Sequence, residues 1–272
     1  LFLEFQNGLM HKILRWFCGG ILFVWAACAR VPAEEDVVVT AAPEFRVDLF
    51  EQRKADDGSP VFGLWVESLQ RYECAGVSLE SSVEVLEGAI RVRLLGIRKP
   101  IPCAGDSATA RDFLPIGSLA DGVYAFTLSL GADNLIESKG MLRVAAGHWE
   151  LGVLESQGVV FQNIVLERIP DGTAWGWVEK PNPNTDPVAA QFVEDLKTLT
   201  DPAALAPGYY GYFTVSGAGV IAFHPNFRPS VEAEFFTRHL GGQASEVRGL
   251  VEDYRNGQQA LQVRCWTTLG AF

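Results

Sequence analysis

The chain has 272 residues, 48% of them hydrophobic, with 33 acidic against 22 basic side chains and a formal net charge of −11. That apolar content excludes a disordered chain, and the length suffices for one large or two ordinary domains. Such acidity repels phosphate backbones and excludes nucleic acid as an expected partner.

The first element is the apolar stretch MHKILRWFCGGILFVWAACAR, residues 10–30. Its uncharged run between Arg15 and Arg30 is shorter than the roughly 20 apolar residues of a spanning helix. It suits the h-region of a signal peptide, with Lys12 and Arg15 as the positive n-region and Met10 as the start. Residues 1–27 are therefore expected to be a signal peptide, and 28–43, with the acidic, proline-containing run ARVPAEED, a tether. The sequence Trp25-Ala26-Ala27-Cys28 resembles a bacterial lipobox, with Trp25 where an aliphatic residue is usual. That resemblance implies a lipidated Cys28 and a membrane partner, a soluble body held on the cell envelope. The other reading is ordinary cleavage after the Ala27-x-Ala29 pattern, giving a secreted soluble protein. Both place the mature chain outside the cytoplasm.

Residues 44–169 read as a β-sandwich. Phe45, Val47 and Leu49 alternate with Arg46 and Asp48, Ile90, Val92 and Leu94 with Arg91 and Arg93, and Tyr124, Phe126, Leu128 and Leu130 with small or hydroxyl residues. Further strands are expected at 61–66, 76–86, 141–145, 148–153 and 158–167, divided by turn signals such as DDGSP. The run Leu119-Ala-Asp-Gly122-Val-Tyr124 resembles the tyrosine corner of immunoglobulin-like and fibronectin type III domains, with Asp121 in the proline position. The resemblance implies an immunoglobulin-like antiparallel sandwich, a fold that carries no catalytic residues of its own. With Cys18 in the signal peptide and Cys28 taken by lipid, three cysteines remain: Cys74, Cys103 and Cys265. In an oxidising envelope Cys74 and Cys103 either close a disulfide loop or stay as two buried thiols.

Residues 170–272 follow a different pattern. A strand at 173–179 precedes a helix carrying Val188, Phe192, Leu196 and Leu199 on one face, with Asp186 as its cap and Pro187 at its first position. A hairpin, YYGYFTV with VIAFH, comes next, then a helix through Val247, Leu250, Val251 and Tyr254 that stops at Asn256-Gly257, and a long closing strand. The order β-α-β-β-α-β is that of a ferredoxin-like α+β domain. Residues 225–243 do not fit this plan and are expected to be an extra helix or loop. A second run, Leu205-Ala-Pro207-Gly208-Tyr-Tyr210, also resembles a tyrosine corner and would imply a second sandwich instead.

In the last strand Leu261, Val263 and Cys265 are assigned to the core, and in the first the small residues Ala174, Gly176 and Val178 face the helices. Tyr209, Phe213 and Val215 are assigned inward, leaving Trp175, Trp177, Tyr210, Tyr212 and Trp266 on the free sheet face beside Arg264. Such a cluster needs either a docked domain or a ligand. The functional reading is a platform for a glycan or protein partner in a non-catalytic envelope binding or adhesion module. The rival is an envelope hydrolase with a site near residues 224–243, flanked by His224 and His239. No C-x-x-C is present and the histidines His148, His224 and His239 are scattered, so neither metal nor cofactor is expected.

Overall fold

The computed structural model describes residues 42–103, 105–131, 136–257 and 261–272. The expected signal peptide, Cys28 and nearly all of the tether therefore lie outside the described residues. The protein is mostly β, with several sheets and two helices among the described residues.

The first ten strands are β1 (Phe45–Arg53), β2 (Pro60–Tyr72), β3 (Ser78–Leu86), β4 (Ala89–Arg98), β5 (Ala108–Gly117), β6 (Gly122–Leu130), β7 (Ile136–Val144), β8 (His148–Glu155), β9 (Val159–Phe161) and β10 (Val165–Glu167). They form two sheets, ordered β5-β2-β1-β9 and β10-β8-β7-β6-β4-β3. The alternating residues Val47, Leu49, Leu64, Val66, Ile90, Val92, Leu128 and Leu142 meet in one buried core. Two pairings, β1 with β9 and β4 with β6, run parallel, so the expected all-antiparallel pattern is corrected there.

Two further expectations are revised. Residues 158–167 are not one strand: β9 joins β1 in the smaller sheet, while β10 joins β8 in the larger. The chain crosses between sheets at Asn163, whose backbone N and side-chain Nδ2 both donate to the buried Asp48 Oδ1, at 3.0 and 2.7 Å. Strand β5 was not expected, because Arg111, Asp112 and Pro115 interrupt its apolar pattern. It pairs along the edge with β2 through two irregularities. Cys74 and Cys103 are joined by a disulfide, with Cα atoms 5.4 Å apart. The Tyr124 hydroxyl donates to Ala120 O at 2.9 Å, the backward bond that fixes a corner between strands.

The rest of the chain forms β11 (Thr173–Glu179), α1 (Asp186–Leu199), β12 (Asp201–Pro202), β13 (Gly208–Tyr209), β14 (Phe213–Val215), β15 (Ile221–Phe223), β16 (Ala233–His239), α2 (Ala244–Asn256), β17 (Val263–Thr267) and β18 (Gly270–Ala271). A five-stranded sheet has the order β12-β16-β11-β17-β18. Both helices pack on one side of it: Ala189, Phe192 and Leu196 of α1 and Val247 and Val251 of α2 share a core with Ala174, Val178, Leu261, Val263 and Cys265. Gly176 lies between Arg264 and Phe236, where any Cβ would run into the Arg264 carbonyl.

Here too the structure departs from the expected plan. Residues 225–243 hold a one-turn 3-10 helix, Pro225–Phe227, and then β16, the direct neighbour of β11. The expected hairpin is instead a separate three-stranded sheet, β13-β14-β15, inserted between β12 and β16. Thr185, not Asp186, precedes the first helical residue of α1. The closing segment is not one long strand but β17 folded back onto β18.

Candidate functional site

The side of the five-stranded sheet opposite the helices is where sequence periodicity put an aromatic face. Trp175 pairs across the ladder with Trp266 and Trp177 with Arg264, so these side chains share that side. The face is covered. Trp175 is 0% exposed, Tyr210 3% and Tyr212 3%, which removes these three residues from any open recognition platform. Trp177 and Trp266 are half-buried and Arg264 is exposed.

Two layers do the covering. The inserted sheet contributes Tyr212, Phe213, Val215 and Phe223, while the outer face of the small sandwich sheet contributes Phe50, Trp65 and Phe113. Trp175 and Tyr212 have ring centroids 5.2 Å apart, Phe50 and Tyr212 5.1 Å, and Phe223 stacks on Phe235 at 4.8 Å. Tyr209, assigned to the second domain, packs into the sandwich core. All described residues accordingly form one compact unit.

The inserted sheet carries the second tyrosine-corner signature. Tyr210 donates from its hydroxyl to Ala206 O at 2.9 Å, and its ring stacks on Phe213 at 5.2 Å. The local bond thus forms within a three-stranded insertion rather than in a second sandwich. Gly211 lies between the two tyrosines at φ +81°, a left-handed conformation that favours glycine, and a Cβ there would meet the Phe50 ring at 2.9 Å.

A strap from His224 to Arg228 then crosses the outer sandwich sheet. Phe227 stacks on Phe50 at 5.4 Å with planes 9° apart, and its carbonyl accepts from Trp177 Nε1 at 2.9 Å. Asn226 Oδ1 accepts from Arg111 at 2.9 Å. The imidazole Nδ1 of His224 accepts from Asn226 N at 3.3 Å and so caps the turn that presents Phe227. Burial holds the His224 imidazole below its ordinary pKa, against the opposing pull of Asp48. Burial raises the carboxyl of Asp48, which is 2% exposed, although the Asn163 hydrogen bonds pull the other way.

At one end of the junction Glu51, 3% exposed, is paired with Arg53 at 2.7 Å and Arg168 at 3.2 Å. Arg53 also donates to Gly58 O and Ile169 O, and its backbone N donates to the Tyr212 hydroxyl. This group ties β1 to the connecting segment and to the insertion. Burial raises the Glu51 carboxyl despite its two arginines.

Beside it a cleft of about 350 Å³ opens between the two halves. The buried rings of Phe50 and Tyr212 and the half-buried rings of Trp65, Phe227 and Trp266 line it, with Gln52, Arg53 and Lys54. Its size is at the lower end of ligand pockets, roughly 300 to 1,000 Å³. Of the aromatic residues expected to bind, only Tyr212 and Trp266 line it.

Phe50, Trp65 and Phe227 were missed by the sequence reading, yet the first two left a signal. Alternation breaks at Leu49-Phe50, Leu64-Trp65-Val66 and Phe113-Leu114, and adjacent apolar residues in a strand mark burial on both faces. His224 and His239 do not form a joint site: His224 caps the strap, whereas His239 stands beside Gly172, paired with Thr173 and Asp201. Cys265 is buried beneath the helices, its thiol pushed up to about 12 by burial. No family model, curated protein or solved structure matches this chain.

Proposed function

We propose that this protein is a non-catalytic binding module of the bacterial cell envelope, lipid-anchored at Cys28, that holds a glycan in the cleft between its two halves. The observation that carries the reading is the cleft lining itself: the half-buried rings of Trp65, Phe227 and Trp266 beside Gln52, Arg53 and Lys54. Ring faces with adjacent hydrogen-bonding groups suit the apolar faces and hydroxyls of a sugar.

The fold reading is of the same kind. The Tyr124 to Ala120 bond supports an immunoglobulin-like sandwich, and the order β12-β16-β11-β17 with both helices on one side supports a ferredoxin-like domain carrying an insertion. The disulfide supports an oxidising compartment outside the cytoplasm.

A glycan array probed with the full chain and with Trp266→Ala tests the function. Binding that falls about tenfold or more in the variant, at a temperature where its melt shows it still folded, is the expected result. Equal binding by both proteins, or binding to no glycan, overturns it. The anchor is tested by mass spectrometry of protein made in a bacterial envelope, where a free terminus at Arg30 would rule out lipid at Cys28.

A further inference from the structure

We infer that the cleft selects a carboxylate-bearing sugar, with the pyranose on the aromatic wall and its carboxylate on the Lys54 ammonium. The inference rests on the reading of the cleft as a ligand site and adds the charge of the ligand. Acidic residues outnumber basic ones 33 to 22 along the chain, yet the cleft lining holds two basic residues and no aspartate or glutamate.

The two cations are not equivalent. Arg53 is neutralised by Glu51, and its guanidinium is further held by the carbonyls of Gly58 and Ile169. Lys54 is exposed, and its ammonium makes no hydrogen bond or ion pair among the described residues, although the exposed Asp57 carboxylate attracts it electrostatically. It is therefore the positive group on the lining that is free to meet a ligand. Gln52, two residues back along the strand, shares its side of β1 with Phe50 and supplies an amide for ring hydroxyls. A neutral apolar ligand would desolvate Lys54 and Gln52 without compensation, whereas an acidic sugar engages both and leaves its apolar face for Trp65, Phe227 and Trp266.

The test is a titration of the full chain, followed by tryptophan fluorescence and calorimetry, with methyl β-glucuronide, methyl β-glucoside and benzoate. The glucuronide is expected to bind about tenfold more tightly than the glucoside, the scale of one charge-assisted hydrogen bond. That advantage should shrink as salt rises from about 0.01 M to about 1 M, and it should vanish in Lys54→Met, whose melt should match the parent because the side chain is exposed. Equal affinity for glucuronide and glucoside overturns the charge selection while leaving the cleft as a glycan site. Benzoate matching the glucuronide overturns the sugar. Silence with all three ligands overturns the inference, and the glycan array then decides whether the cleft reading falls with it.

Discussion

Replacing Trp175 by alanine should unseat the junction between the two halves of the protein. The indole is 0% exposed, sits at the centre of β11 between Thr237 and Trp266, and packs on Tyr212 at 5.2 Å. Truncating a buried tryptophan costs about 3 to 5 kcal/mol. One feature pulls the value down: Trp175 Nε1 is buried without a hydrogen-bond partner among the described residues, and an unsatisfied buried donor itself costs about 1 to 3 kcal/mol. The net loss should therefore fall at the lower end, about 3 kcal/mol. For a chain of this size each kcal/mol shifts the melting temperature by roughly 2 to 4 °C, so a drop of about 6 to 12 °C is expected. Trp175→Phe keeps ring packing and removes the orphaned donor, so it should recover most of that loss. Differential scanning calorimetry reads both variants and also shows whether the single transition splits as the halves uncouple. A drop of under about 1 kcal/mol in Trp175→Ala would refute the reasoning, because it would mean that the sheet face is open rather than plugged.

Three further outcomes follow from polar groups that are buried or half-buried. Because burial lowers the His224 pKa, the folded chain binds fewer protons than the unfolded one between that lowered value and about 6.5, so this group withdraws stability as pH falls through the window. The raised Asp48 carboxyl has the opposite sign, favouring the folded state below about 3.9 and losing that contribution as pH rises through its raised value. Urea melts between about pH 7 and 5 should show a flatter profile for His224→Gln than for the parent, and parallel profiles would dismiss the histidine as the source. Arg53→Met strips the buried Glu51 of its nearer partner and should cost about 3 to 5 kcal/mol in urea melts, although Arg168 remains; a cost near zero would show that the ion pair does not hold the junction. Tyr124→Phe and Tyr210→Phe each remove one backward hydrogen bond, to Ala120 and Ala206, and should each cost about 0.5 to 1.5 kcal/mol by thermal melt, with no change in either case arguing that the hydroxyls are idle.

The sequence by itself determined the core-facing side of several elements, though not of the inserted sheet, where Tyr209 joins the sandwich core and Phe213 and Val215 the junction. Phe45, Val47 and Leu49 point into the sandwich, Leu261, Val263 and Cys265 lie under the helices, and Phe192 and Leu196 of α1 and Val247 and Val251 of α2 face the sheet. These assignments need only the local period of a strand or helix, which the chain writes directly into its apolar pattern. The two backward tyrosine bonds were legible for the same reason, since donor and acceptor are four residues apart. Only the tertiary structure decided what covers each face. Period placed Trp175, Trp177 and Trp266 together, but it could not say that an insertion between β12 and β16 and the far side of the sandwich would close over them. Nor could it divide residues 158–167 between two sheets, a break fixed by Asn163 reaching Asp48, 115 residues away in sequence. A side-chain pattern records that a surface leaves water; the partner it meets depends on chain closure and packing among distant segments, and those define the cleft at Lys54.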